Sequence, residues 1–260
     1  MEKTIIITGG SSGIGRATAI LFSEKGHRVY EFSRHGESKD GITHIDCDVT
    51  SPDDCRKAVK QVIDETQRID VLVSNAGMGI SGSVEFTELT DIKRQFDVNL
   101  FGAINITQAV LPQMRLQRFG RIIFVSSLAA VFPIPYQGFY SASKSALNSV
   151  ALALRNELAP FGIDVCCMLP GDVATGFTEV RKKTIAGSDV YTHMEKAVSN
   201  MERDEQNGLQ PISIARKIYS LSEAVVTPCY STTGIQYKLF MVLRKFLSTT
   251  LINRILGKMY

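Results

Sequence analysis

Short β-branched runs alternate with helix-patterned stretches along most of this chain, and that alternation restricts the fold more than any other feature. Strand-like runs fall at residues 4–8, 28–32, 42–47, 71–74, 122–126 and 164–169, and helical patterns fill 14–25, 52–66, 103–117 and 140–158. The strands are continuous apolar runs rather than apolar–polar alternations, so both their faces must be covered. Strands of that kind separated by helices build a parallel sheet joined by right-handed crossovers, a doubly wound α/β fold with helices on both faces. Ser51 and Pro52 suit the start of the second helix, the serine as N-cap and the proline in the first turn. In such sheets ligands bind beyond the carboxyl ends of the strands, so functional residues are expected there.

Composition narrows the classes further. At 260 residues a single α/β domain is the first expectation. An apolar fraction of 44% with 21% charged residues excludes a disordered chain or a disulfide scaffold. A formal charge of +3 supplies no field for nucleic acid, and none is expected as a partner. Residues 122–143 carry no charge, a length that could cross a bilayer if helical, but Pro133, Pro135 and Gln137 argue against a lipid-exposed helix. Met1-Glu2-Lys3-Thr4 lacks the pattern of a secretory leader, and Cys47, Cys55, Cys166, Cys167 and Cys229 form no metal or redox motif. Reduced thiols and a cytoplasmic location are expected, and no metal site.

Four glycines in Thr8-Gly9-Gly10-Ser11-Ser12-Gly13-Ile14-Gly15 lie at the first strand-to-helix junction. There they allow a sharp turn and close approach of a pyrophosphate to unpaired helix N–H groups. The same letters contain G-x-S-x-G, the nucleophile elbow of α/β-hydrolases. A hydrolase needs a histidine late in the chain, and His193, the last one, follows no strand end. The second strand ends in Ser33-Arg34. A basic residue here accommodates a ribose 2′-phosphate, so NADP(H) is expected over NAD(H), with Ser11 or Ser12 adding a hydroxyl. Glu31 should point away from the cofactor if the strand is regular, although a register slip would make it a ribose ligand.

Tyr140 and Lys144 stand at i and i+4, on one face of a helix. A tyrosine with a pKa near 10 is a poor acid–base catalyst at neutral pH, and a nearby ammonium lowers that value. Ser126 and Ser127 end one strand, Asn75-Ala76-Gly77 follow another, and Asn99 enters the helix before the serine strand. With these motifs together, the chain resembles the short-chain dehydrogenase/reductase family with the Tyr-x-x-x-Lys site, and within it hydroxysteroid dehydrogenase-like members. Thr8-Gly9-x-x-x-Gly13-Ile14-Gly15 matches the family's cofactor motif, Asp48-Val49 its adenine-side pair, and Asn75-Ala76-Gly77 its sheet-stabilising turn. Pro170-Gly171-Asp172-Val173-Ala174-Thr175 matches its nicotinamide-side segment, with Pro170, Gly171, Val173 and Thr175 in the cofactor set.

The resemblance implies a catalytic set of Ser127, Tyr140, Lys144 and Asn99. Tyr140 would exchange a proton with the substrate oxygen, Ser127 would hydrogen-bond it, and Lys144 would bind the nicotinamide ribose. Asn99 would hold a water linked to Lys144. The interval to Tyr140 favours Ser127 over Ser126. The expected reaction interconverts a secondary alcohol and a ketone on a small lipophilic substrate, with a hydroxysteroid first and 3-oxoacyl or sphingoid-type ketones as the alternative. A cofactor-sensing protein without catalysis is a distant third reading. Met78, Leu128, Val131, Phe132 and Phe177 are expected to wall the substrate, and the loop containing Arg181-Lys182-Lys183 to be a solvated lid.

The division expected is a Rossmann-fold domain over residues 1–235 and an amphipathic helical extension over 236–260 packed on it. Residues 225–234 could supply a last strand. The extension mixes apolar and basic residues, and three roles stand open for it: closing its own cleft, pairing subunits, or touching a membrane peripherally. A homo-oligomer is expected, with a dimer through residues 103–117 and 140–158 first.

Overall fold

The computed structural model describes residues 1–259; Tyr260, the last residue of the extension, lies outside them. In chain order the elements begin β1 (Thr4–Thr8), α1 (Gly13–Glu24), β2 (Arg28–Ser33), β3 (Ile42–Asp46), α2 (Pro52–Thr66), β4 (Val71–Ser74) and β5 (Ile80–Ser81). Next come α3 (Leu89–Phe96), α4 (Ala103–Gln117), β6 (Gly120–Val125), α5 (Gly138–Leu158) and β7 (Ile163–Met168). The chain then runs through α6 (Phe177–Val180), β8 (Lys182–Lys183), α7 (Met194–Gln206), α8 (Pro211–Glu223), β9 (Tyr230–Ser231), α9 (Ile235–Leu243) and α10 (Thr249–Met259).

The doubly wound sheet expected from the alternation is present. Seven strands lie in the order β3-β2-β1-β4-β6-β7-β9, every pairing parallel. Its two faces carry separate cores, as strands buried on both sides require. Ile6, Leu72, Ile122 and Phe124 pack with α2, α4 and α5, while Ile5, Ile7, Val73 and Ile123 pack with Phe22 of α1 and Ile214 and Ile218 of α8. Ser51 caps α2 as its sequence suggests, its hydroxyl accepting from the Asp54 N–H at 3.2 Å. Strand order reverses between β1 and β4, which opens the crevice for a ligand beyond their carboxyl ends.

Three features differ from the sequence pattern. The last strand is only Tyr230–Ser231, paired with Cys167 and Met168. β5 and β8 form a small second sheet that ties the segment after β4 to the loop after β7. The extension is two helices rather than one, because Ser248 starts a new helix by accepting from the Leu251 N–H (3.3 Å) through its hydroxyl and the Ile252 N–H (3.1 Å) through its carbonyl.

Candidate active site

The cofactor side is built by the turns after β1 and β4. Gly9 (φ 65°) and Gly13 (φ 54°) hold left-handed backbone that most side chains avoid. A Cβ at Gly15 would collide with the Gly9 carbonyl, so the helix can start this close to the strand only with glycine there. Asn75 and Ala76 lock the turn. Both of their N–H groups donate to the Thr8 hydroxyl (2.9 and 3.0 Å), and the Asn75 amide donates to the Thr8 and Gly9 carbonyls (3.0 and 3.1 Å). Asn75 therefore shapes the loop, its amide nitrogen already bonded to protein. Ser12 is the N-cap of α1 without a side-chain cap bond, and Ser11 and Ser12 are exposed, which leaves their hydroxyls and the first N–H groups of the helix for a phosphate.

Around this junction the remaining residues take varied roles. Asp48 closes its own turn, its carboxylate accepting from Thr50 N–H (2.9 Å) and hydroxyl (2.8 Å), and Val49 packs into the core against Gly102. Arg34 is exposed beyond β2 and forms no ion pair among the described residues. Glu31 does not point away as regular alternation suggested: it is buried beneath Gly10, bonded to His44, with Oε2 unpartnered. On the other wall, Thr175 of the Pro170–Thr175 segment meets Gly13, where an added Cβ would lie 3.5 Å from its side chain. Bare glycine backbone, open helix N–H groups and an exposed guanidinium fit a dinucleotide and its phosphates.

The catalytic side gathers all four expected residues. Ser127 leaves β6 extended and caps the short 3₁₀ turn Leu128–Ala130, its hydroxyl accepting from the Ala129 N–H at 3.1 Å. Lys144 is buried on α5 and donates to the Val125 carbonyl at 2.8 Å, with its nitrogen 5.9 Å from the Tyr140 ring centroid. Asn99 lies in a π-helical stretch, Asp97–Gly102, which the sequence did not reveal. Its amide clasps Met78, accepting from the N–H (2.8 Å) and donating to the carbonyl (2.9 Å), and also donates to the Ser143 hydroxyl (3.1 Å). A Cβ at Gly77 would sit 3.3 Å from Asn99 Oδ1 and 3.5 Å from Lys144 Nζ, so that glycine keeps the space between them open.

The electrostatics depart from the simple pairing argument. Burial pushes the Tyr140 hydroxyl up to about 12, with the Ser127 hydrogen bond pulling the other way, and burial brings Lys144 down to about 8. The expected lowering by the Lys144 ammonium is not what opposes burial at Tyr140: that comes from the Ser127 hydrogen bond and then the Arg181 charge, and desolvation outweighs both.

The substrate wall is only partly as expected. Phe177 faces Tyr140 with ring centroids 5.9 Å apart. Met78 is half-buried in the turn held by Asn99. Leu128 instead joins the core, with Val131 and Phe132 packed half-buried against the same cluster. The loop of basic residues is not uniformly solvated: Arg181 is buried over the Phe177 ring and paired with Glu205, while the exposed Lys182 and Lys183 pair with the half-buried Asp91 and Glu202. Sequence reasoning also missed Tyr237. Its ring covers Gly171 so closely that a Cβ there would overlap it. Its hydroxyl donates to the Asp172 carboxylate (2.8 Å) and accepts from the Asp172 N–H (3.0 Å). The missing side chain at Gly171 is the one local hint, and it does not name the partner.

Comparisons with known proteins agree with this geometry. A family model described as short chain dehydrogenase matches residues 3–186. A 3-ketodihydrosphingosine reductase of Bacteroides thetaiotaomicron is 43% identical over 220 residues, 83% of this chain and 82% of the relative. An 11-beta-hydroxysteroid dehydrogenase A of Sesamum indicum is 30% identical, over 92% of this chain and 72% of that protein. The crystal structure of a short-chain dehydrogenase from Streptomyces avermitilis superimposes with a TM-score of 0.86 at 27% identity, covering 94% of this chain and 92% of that one.

Proposed function

The chain belongs to the short-chain dehydrogenase family, an oxidoreductase acting on CH–OH and C=O groups with a nicotinamide cofactor, and from that premise we propose that it reduces a sphingoid-type long-chain ketone with NADPH. The observation that carries the substrate is the 43% identity to the 3-ketodihydrosphingosine reductase, against 30% to the hydroxysteroid dehydrogenase. The alternative raised from the sequence is thus better supported than the hydroxysteroid placed first.

Gly9, Ser11, Ser12, Gly13, Ile14 and Gly15 would hold the pyrophosphate, Arg34 a 2′-phosphate, and Pro170–Thr175 with Lys144 the nicotinamide end. When bound, the cofactor supplies the hydride. Ser127 orients the carbonyl by donating a hydrogen bond to its oxygen. Tyr140 gives that oxygen its proton. A hydroxyl pushed up to about 12 is protonated at neutral pH, as a proton donor must be. Lys144, down to about 8, is the stronger acid of the two and returns a proton to Tyr140, and a water held by Asn99 Oδ1 in the opening at Gly77 would reload Lys144.

The working form is a dimer through α4 and α5, where Phe101 and Leu116 leave apolar side chains exposed at and beside α4. A reducing, cytoplasmic setting suits five free thiols. The test is turnover of 3-ketodihydrosphingosine, a ketosteroid and a 3-oxoacyl thioester with each reduced cofactor. The sphingoid ketone with NADPH should react fastest. A faster steroid would restore the hydroxysteroid reading, and equal rates with NADH would remove the cofactor preference.

A further inference from the structure

A surface helix normally turns its polar side to water. Helix α9 does the reverse. Tyr237 is buried and Met241 packs on the core, and the opposite side of the helix carries Ile235 (89% exposed), Leu239 (52%), Val242 (51%) and Leu243. Phe246, in the turn that follows, is 80% exposed. Helix α10 buries no residue. Leu251, Ile255 and Met259, all exposed, share one stripe with Ile252 and Leu256, and Arg254 and Lys258 flank its Leu251 edge.

The charge pattern says what would cover these side chains. Lys238, Arg244, Lys245, Arg254 and Lys258 are exposed, none forms an ion pair among the described residues, and residues 235–260 contain no acidic side chain. The whole chain is only +3. A second copy meeting this face about a two-fold axis would set like charge against like. An anionic bilayer surface offers hydrocarbon for the stripes and phosphates for the cations. No helix among the described residues is long and apolar enough to cross a membrane.

We propose that α9, α10 and the turn between them lie on the surface of a bilayer bearing anionic headgroups. The contact is not remote from the chemistry. Tyr237, on the inner side of α9, holds Gly171 and Asp172 of the nicotinamide-side segment, so a bilayer seated on the outer side is separated from that segment by a single helix. Docking itself does not depend on which ketone is reduced.

Flotation with vesicles tests it, phosphatidylcholine alone against phosphatidylcholine with phosphatidylglycerol, with no substrate present. The protein should rise with the anionic vesicles and far less with the neutral ones. The triple variant Lys238→Gln, Lys245→Gln, Arg254→Gln should partition roughly a hundredfold less, at about fivefold per basic side chain near an anionic surface. Leu239→Glu with Phe246→Glu, both on exposed positions, should remove binding while NADPH fluorescence titration stays as in the parent protein. Absence of the parent from anionic vesicle fractions would overturn the proposal. So would a dimer in size-exclusion chromatography that the Leu239→Glu, Phe246→Glu variant splits into monomers, which would assign the face to a second copy.

Discussion

The junction after β1 follows an interior strand of the sheet and the extension after β9 follows an edge strand, and they treat their chemistry in opposite ways. At the junction nearly every polar atom that shapes the loop is engaged: Asn75 spends its amide on Thr8 and Gly9, and Gly15 leaves no room for a methyl group. The groups left over are the ones a phosphate would use. In the extension the inner side is engaged through Tyr237, and the outer side exposes apolar carbon and unpaired cations. One region is finished by its own chain; the other calls for something outside it.

Substitutions can break this contrast, and the largest effect belongs to the catalytic end. Tyr140→Phe should lower kcat by at least about a thousandfold, the scale of a positioned proton donor, with cofactor affinity nearly unchanged. Steady-state rates and NADPH fluorescence measure the two halves, and retained turnover would remove Tyr140 as the donor. Arg34→Asp comes next. Loss of one charge-assisted contact should weaken NADPH by roughly 10- to 100-fold and NADH far less. Equal weakening of both would show that Arg34 does not meet a 2′-phosphate.

Tyr237→Phe probes where the two regions touch. It keeps the ring over Gly171 and removes the hydroxyl, so urea denaturation should show a loss of about 1–2 kcal/mol, with a higher KM if the segment loosens. No change in either would reduce that contact to filler.

The smallest expected effect is a pH response from His44, on the cofactor side, opposed by His27, which burial lowers. Burial disfavours a charged His44, yet its hydrogen bonds to Asp46 and Glu31 prevail and raise its pKa above 6.5. A raised folded value means the stabilisation is complete below about pH 6.5 and is lost as pH climbs through the folded value. His44→Gln should remove its part of that slope, read as a smaller fall in Tm from about pH 6 to 8 than in the parent protein. Residues 235–260 hold no histidine or carboxylate side chain, so vesicle binding should stay level over the same range.

What the sequence made legible follows the same division. The glycine turn, the Tyr140–Lys144 spacing and Ser127 at a strand end are readable because a single element fixes each of them. The π-helical stretch holding Asn99, the burial of Arg181 against Glu205 and the Tyr237 contact with Gly171 depend on partners far along the chain, and no local pattern encodes them. Leu128 misled for a related reason. An apolar residue after the catalytic serine suits a substrate wall or the core, and only packing decided for the core. Substrate identity was legible least, since the loop from Phe177 to Leu209 bends back through the β5–β8 pairing and the Arg181 contact rather than through any spacing of its own.

The ring of Tyr237 resting on bare backbone has a consequence for how this protein can change. Positions 171 and 237 form one fitted pair, so alanine at 171 alone should be costly and should become tolerable once residue 237 is trimmed. A library that randomises both should return matched combinations, small beneath large or large beneath small. Residue 237 would then be inherited with the segment it covers, though 65 positions separate Asp172 from Tyr237 in the chain.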